Sequence, residues 1–164
     1  MNKVMSAVIL SVLLLGGCTK QMGMKQSVMK KGEIGLAVSA QNAFFSALIQ
    51  GAEQEAKTQG VKLTVVDAKY NAAKQANDIK DFILKKVSVI IVNPVDSAGI
   101  APSVAAAKKA GITVIALDRS VIGESVSCQI SSDNVAGAKM AGEYLLKLTG
   151  AGADIAELEG IPGS

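Results

Sequence analysis

From residue 33 onward, segments typical of β-strands alternate with segments typical of α-helices, and this order restricts the fold more than any other feature. Residues 87–92 are apolar at all but one position, which is typical of a strand buried on both faces of a parallel sheet. The predicted strands are 34–39, 61–66, 87–92, 112–117, 126–130 and 154–158, and the predicted helices are 43–58, 72–83, 97–110 and 133–148.

The helical segments have clear periodicity and clear ends. In the second, apolar residues recur at spacings of four, three and four, at Ala72, Ala76, Ile79 and Ile83, which places them on one buried face. Gly60 and Gly111 end the first and third helices. Because strand and helix alternate over a single-domain length, we predict an α/β fold with a doubly wound parallel sheet. Such sheets bind ligands at the carboxyl ends of their strands.

Polar and aromatic side chains follow three of the predicted strands. An amide and an aromatic pair come after the first strand, an amide after the third, and a carboxylate with a guanidinium after the fourth. The candidate ligand-binding residues are Asn42, Phe44, Phe45, Asn93, Asp118 and Arg119. Simpler interpretations stay open for each of them: Asn42 and Asp118 as helix N-caps, Asn93 as part of a turn, and the phenylalanines as core residues.

Two details favour a binding site at this edge. Arg119 is the only arginine in the chain, and its planar fork of donors suits vicinal hydroxyls or a carboxylate. Phe44 and Phe45 are adjacent, so on a helix they point about 100° apart and are not expected to face the same core. One of them can therefore offer an aromatic face to the C–H surface of a sugar ring.

The first 18 residues have the pattern of an export signal. Lys3 precedes an apolar run over 4–15 that is too short to span a bilayer, and small residues follow. Residues 15–18, Leu-Gly-Gly-Cys, resemble the lipobox of bacterial lipoproteins, in which the cysteine is acylated. We therefore predict a signal peptide over 1–17, lipidation at Cys18 and a tether over 18–32, with an ordinary cleaved signal as the alternative.

Composition excludes several classes of function. The chain has no histidine, which removes histidine-based catalysis and histidine metal ligation; we predict no metal, no cofactor and no enzyme activity. Five lysines lie before residue 33, so residues 33–164 have a formal net charge of −2 although the whole chain has +3, and no nucleic-acid partner is expected. Cys128 has no cysteine partner in the mature chain, and we predict that it is a buried small side chain.

These motifs together resemble the periplasmic ribose-binding protein family, the type I sugar receptors of bacterial ABC transporters. The resemblance runs over the whole predicted folded part, from residue 33 to residue 164. The segments that carry it are Asn-Ala-Phe-Phe at 42–45, Asn71 with Gln75 and Ile79, Asn-Pro-Val-Asp at 93–96, Gly111-Ile112 with Leu-Asp-Arg at 117–119, and Ser-Asp-Asn at 132–134 with Gly137.

The family implies two similar lobes that close on a monosaccharide and deliver it to a membrane permease. By that resemblance Asn42, Asp118 and Arg119 hydrogen-bond sugar hydroxyls, both phenylalanines stack on the ring, and Asn93 lines the cleft. The same resemblance makes 33–132 an N-terminal sugar-binding lobe, incomplete here, makes Ser132 and Asp133 hinge residues, and makes 133–164 the start of a second lobe. Family members continue beyond residue 164, so a C-terminally truncated member with impaired binding is expected.

Other classes fit the sequence less well. A sugar-responsive transcription regulator needs an N-terminal helix-turn-helix where the export signal stands. A dinucleotide-binding enzyme needs a glycine fingerprint after a strand, whereas Gly150-Ala-Gly152 precedes a predicted strand. Within the receptor class, D-ribose is the first expectation for the ligand, and another pentose, a hexose or a quorum-signal sugar is the alternative. The expected location is the periplasm or the outer face of the cell membrane.

Overall fold

A computed structural model describes residues 32–150, 152–158 and 160 of the chain. Lipidation at Cys18 lies outside these residues, as do the predicted signal peptide and all but residue 32 of the predicted tether. The described residues form a five-stranded parallel sheet with the strand order β2-β1-β3-β4-β5. The strands are β1 Ile34–Val38, β2 Leu63–Asp67, β3 Val89–Val92, β4 Thr113–Leu117 and β5 Cys128–Ile130.

Helices connect the strands and cover both faces of the sheet, as predicted. They are α1 Ala43–Gln59, α2 Ala72–Leu84, α3 Ala101–Lys109 and α4 Asn134–Thr149. Gly60 ends α1 with a φ of 64°, a left-handed conformation that glycine adopts without steric strain. The α/β fold class with a doubly wound parallel sheet is therefore confirmed.

Two apolar clusters hold the layers together. On one face of the sheet, Phe82 of α2 and Val104 of α3 pack with Ala37 and Ile90. On the other face, Phe45 of α1 packs with a cluster that includes Leu36. Neighbouring residues of β1 point to opposite faces, because side chains alternate along a strand. Each fully buried aliphatic or phenyl side chain contributes about 1.5–3 kcal/mol, so both faces stabilise the sheet.

The third helix begins later than predicted. Residues 97–100 form turns, and α3 starts at Ala101. The Asp96 carboxylate explains the difference: its Oδ1 accepts the backbone N–H groups of Ala98 and Gly99, both at 2.9 Å. Such side-chain bonds to nearby backbone favour a turn over a helix.

The last part of the described chain departs from two predictions. Residues 154–158, predicted as a strand, are irregular and exposed, and they pair with no strand of the described sheet, so they lack the hydrogen-bonded neighbour that a strand needs. Cys128, predicted to be buried, is exposed. It lies on that edge strand, and α4, the helix that follows it, has no buried residue. No helix in the described ranges is long and apolar enough to cross a membrane.

Candidate functional site

The carboxyl ends of three strands meet at the point where the strand order reverses. Ala37 of β1 pairs with Val92 of β3, and Val92 pairs with Ala116 of β4, so the three strands end at nearly the same level. The chain leaves β1 and β3 toward helices on opposite faces of the sheet. In doubly wound folds this switch point is where ligands bind.

Asn93 joins the ends of these three strands. Its Oδ1 accepts the Ser39 N–H at 3.2 Å, and its Nδ2 donates to the Leu117 carbonyl at 3.1 Å and to Asp118 Oδ2 at 3.2 Å. The side chain has no exposed surface. Asn93 therefore holds the Asp118 carboxylate in place from a buried position, and that it lines the cleft stays a prediction.

Asp118 has the least common backbone conformation in this group. Its φ is 62°, in the left-handed region that aspartate tolerates better than most non-glycine residues. Its own N–H donates to the Ile130 carbonyl at 2.7 Å, which ties the end of β4 to the end of β5. The side chain is partly exposed. Asp118 thus presents a charged acceptor, and since it does not cap a helix, the helix-cap interpretation does not apply to it.

Arg119 follows at once and is partly buried. Its Nη1 donates to the Pro94 carbonyl at 3.1 Å. Among the hydrogen bonds of the described residues, this contact uses one of the five N–H donors of the guanidinium. The rest of the planar fork is available for further acceptors, while the bond to Pro94 limits how far the group can swing.

The two phenylalanines separate as their helical spacing predicts. Phe44 is 61% exposed and Phe45 is 5% exposed, and their rings meet edge to face with centroids 5.1 Å apart. Phe45 belongs to the core beneath α1, so it supports Phe44 from below. Phe44 is thus the ring of this pair with the larger exposed face, and the stacking of both rings on a ligand stays a prediction.

Asn42 is the N-cap of α1. Its Oδ1 accepts the Phe45 N–H at 3.1 Å, so one part of the alternative interpretation is correct. The residue remains exposed, and its amide NH₂ group can still donate. Capping therefore fixes the side chain at the start of α1 without removing its capacity to donate a hydrogen bond.

A groove of about 270 Å³ lies beside these residues. Phe44 and Leu48 of α1 form one wall, and the chain from the end of β4 and the end of β5 forms the other. Its lining residues are Phe44, Leu48, Leu117, Asp118, Ile130, Ser131 and Ser132. An apolar ring face next to a carboxylate and hydroxyls is a combination that suits a small polyol. Asp133, next to Ser132, caps α4 through a bond from the Ala136 N–H to its Oδ1 at 2.9 Å.

Within the described residues, no group of three or more potential ligands is arranged to hold a metal ion. Hydrogen bonds lower the pKa of three carboxyl groups outside the groove. The donors are Lys62 and Thr64 to Glu33, the N–H groups of Gly99 and Ala98 to Asp96, and Lys108 to Glu124. A larger groove of about 530 Å³ lies between α2 and α3, among side chains with no part in the cluster at the strand ends.

Gln75 is a residue that the site analysis of the sequence missed. It is fully buried on α2 and bonds the backbone on both sides of Pro94. The available signal was a long polar residue on the apolar face of α2, one turn before Ile79.

The sequence matches the family described as Periplasmic binding protein domain over residues 34–164. The chain belongs to this family, which confirms the resemblance found in its motifs. Ribose import binding protein RbsB of Bacillus subtilis (strain 168) is 37% identical over 171 residues, an alignment that covers 100% of this chain and 56% of that protein.

Two solved structures show the same architecture. An ABC transporter periplasmic solute binding protein from Actinobacillus succinogenes 130z with bound D-allose is 32% identical with a TM-score of 0.74, over 80% of this chain and 49% of that one. The periplasmic binding protein component of the arabinose ABC transporter from Shewanella sp. ANA-3, bound to α- and β-L-arabinofuranose, is 28% identical with a TM-score of 0.75, over 80% and 45%. The chain spans about half the length of the relatives it matches.

Proposed function

We propose that this chain is the substrate-binding component of an ABC sugar importer, binds a monosaccharide in the groove at the switch point, and is not an enzyme. The observation that carries the proposal is the meeting of the exposed Phe44 ring and the Asp118 carboxylate in one groove, with the only arginine next in the chain. A sugar has an apolar C–H face, which complements the Phe44 ring, and a rim of hydroxyls, which complements the carboxylate and the guanidinium.

Each residue has a separate part in the proposed site. Phe44 stacks on the ring, with Phe45 holding it from the core. Asp118 accepts from sugar hydroxyls, and Arg119 donates to neighbouring hydroxyl oxygens with the donors that Pro94 does not occupy. Asn42 donates through its amide. Charged hydrogen bonds of this kind contribute roughly 1.5–3 kcal/mol each when water is excluded.

The described residues form one side of such a site. The groove is open, and a hydrogen bond made in the presence of water replaces one to water and contributes little. Residues 33–132 correspond to the N-terminal lobe and Ser132–Asp133 to the hinge, and in the proposal the remaining length of the matched relatives corresponds to the lobe that closes over the sugar. The 164-residue chain by itself is therefore expected to bind weakly.

D-ribose is the first candidate ligand. Ribose import binding proteins match the chain at 37–40% identity, whereas the structural relatives contain D-allose or L-arabinofuranose. Another pentose, a hexose or a quorum-signal sugar is the alternative. The family also supports export, and we propose that the protein is anchored by acylated Cys18 at the periplasmic or outer face of the cell membrane, where it delivers sugar to a permease.

Titration of ¹⁵N-labelled residues 19–164 with D-ribose, D-allose and L-arabinose tests the site. The backbone signals of Phe44, Asp118 and Arg119 should shift at millimolar sugar. Phe44→Ala should abolish the shifts, whereas Tyr70→Ala, which removes an aromatic ring of similar exposure (58%) outside the groove, should not. A flat titration with all three sugars contradicts the sugar site, and micromolar one-to-one binding by the monomer in calorimetry contradicts the one-sided site.

A further inference from the structure

Gln75 is the largest fully buried polar side chain in the described part of the protein. Burying a carboxamide without partners costs several kcal/mol on transfer scales, so its contacts need an explanation. Nε2 donates to the Asn93 carbonyl at 2.8 Å, and Oε1 accepts the Val95 N–H at 2.8 Å. The two partners also fix the orientation of the amide, since a carbonyl only accepts and an N–H only donates.

These two bonds bracket Pro94. Strand β3 ends at Val92. The Asn93 N–H still donates to the Ala37 carbonyl of β1 at 2.9 Å, but Pro94 has no N–H to continue the ladder beyond it. The carboxamide of Gln75 takes the place of a neighbouring strand for the segment 93–95. Because Gln75 lies in the first turn of α2, which is fixed by the Asn71 cap, the segment is attached to a rigid element.

Both groups of the site that carry charge are attached to this same segment. The Asn93 side chain donates to Asp118 Oδ2 at 3.2 Å, and the Pro94 carbonyl accepts from Arg119 Nη1 at 3.1 Å. A shift of the segment would move the partner of the carboxylate and the partner of the guanidinium together. Binding groups must stay within about 0.5 Å of their productive positions. A loop without supporting hydrogen bonds moves by more than this distance.

We infer that Gln75 is a positioning residue, which holds Asn93–Val95 so that the Asp118 carboxylate at the groove and the neighbouring Arg119 guanidinium keep a fixed arrangement. The inference rests on the proposed function for its biological meaning, but the positioning itself is a property of the unliganded protein. Gln75 touches no ligand in this scheme and acts only through Asn93 and Pro94.

Gln75→Met tests the inference, because methionine has a similar length and volume but makes neither bond. Ile79→Ala is the matched control: Ile79 lies one turn further along the same buried face, and its loss lowers stability without removing a hydrogen bond to residues 93–95, since its side chain can form none. In NMR spectra without sugar, Gln75→Met should shift the Asn93 side-chain NH₂ signals and the backbone signals of Asp118 and Arg119. Ile79→Ala should leave these signals in place.

The sugar titration separates the two hypotheses. If wild type binds sugar, Gln75→Met should weaken the affinity by roughly five- to tenfold, the equivalent of one net hydrogen bond; unchanged signals and unchanged affinity overturn the positioning role while leaving the sugar site intact. If wild type binds no sugar yet Gln75→Met moves the Asp118 and Arg119 signals, positioning is supported and the proposed function fails.

Hydrogen exchange in wild type covers the case in which Gln75→Met does not fold. The Val95 N–H should then be protected to a degree similar to the β3 amides. Exchange of the Val95 N–H at the rate of an exposed loop amide would overturn the inference without any variant.

Discussion

Gly35 of β1 lies directly beneath the ring of Phe82 of α2. A Cβ atom at Gly35 would come within 2.6 Å of the ring carbons Cδ2 and Cε2, and Phe82 is only 1% exposed. The absence of a side chain at Gly35 therefore lets α2 pack close to β1, an inner strand that leads into the site.

Gly35→Ala should destabilise the protein by about 1–3 kcal/mol, because the extra methyl group overpacks a buried ring. Gly51→Ala is the control, since it lies in the interior of α1 with open space around it, and it should stabilise the protein by about 0.5–1 kcal/mol. Urea unfolding measures both. Equal effects of the two substitutions would show that the ring can move aside.

Asn42→Ala tests whether Asn42 only caps α1 or also binds the sugar. Asn42 and Asn71 cap α1 and α2 through the same kind of bond, so replacing either by alanine should lower the free energy of unfolding by about 1 kcal/mol. Only Asn42→Ala should also reduce the sugar-induced NMR shifts. If both variants titrate as wild type does, Asn42 is a cap and nothing more.

Asp118→Asn should weaken sugar binding and leave the fold almost unchanged. Asparagine tolerates a positive φ and can still accept from Asn93, but it loses the charge. Because the groove is open to water, the loss in binding should be nearer about 1 kcal/mol than the full value of a water-excluded charged bond, so more sugar should be needed to produce the same shifts. The opposite pattern, a large fall in melting temperature with shifts retained, would make Asp118 a structural residue.

Stability should fall in acid partly through Asp96. The N–H groups of Gly99 and Ala98 hold the pKa of this carboxyl below its usual value of 3.8. The folded state therefore binds the proton less readily than the unfolded state, and the contribution is complete above about pH 4 and lost as the pH falls through the lower, folded-state pKa.

The free energy of unfolding of wild type minus that of Asp96→Ala should accordingly be positive at pH 7 and smaller at pH 3. Asp96→Asn keeps an acceptor for both N–H groups but does not titrate, so its stability should depend less on acid than that of wild type. A wild-type-minus-alanine difference that is the same at both pH values would rule out this role.

The anchor makes a separate prediction. If residues 15–18 form a lipobox, the exported protein should incorporate labelled palmitate and partition into detergent, and Cys18→Ser should abolish both. Cys128→Ser is the matched control, because Cys128 is the other cysteine of the chain, and its label should be retained. An unlabelled wild type, or a labelled Cys18→Ser variant, would exclude lipidation at this position.

The sheet was predictable from the sequence because its determinants are local. Apolar runs, helical spacing and helix-ending glycines are each visible within a few residues, and the polar residues after β1, β3 and β4 follow from the strand ends. The adjacency of Phe44 and Phe45 also predicted that one ring would leave the core, although not which.

The support of the site was not predictable, because it depends on residues distant in sequence. Asn93 reaches Ser39, 54 positions away, and Asp118, 25 positions away, and these partners decide that it supports Asp118 from inside the core. In the sequence, Gln75 can be recognised only as a polar residue on the apolar face of a helix. Residues 154–158 and Cys128 were mispredicted for a related reason: strand pairing and burial require neighbours that a local pattern cannot supply.

Because Asp118 has a positive φ, selection for thermal stability and selection for ligand binding favour different residues at this position. A glycine there would relieve backbone strain of order 1 kcal/mol and would be enriched in any search for variants that melt at higher temperature. It would also remove the carboxylate that faces the groove. A thermostabilised descendant of this protein chosen by folding alone is therefore expected to lose its acceptor first, whereas screening for retained ligand would keep aspartate at position 118.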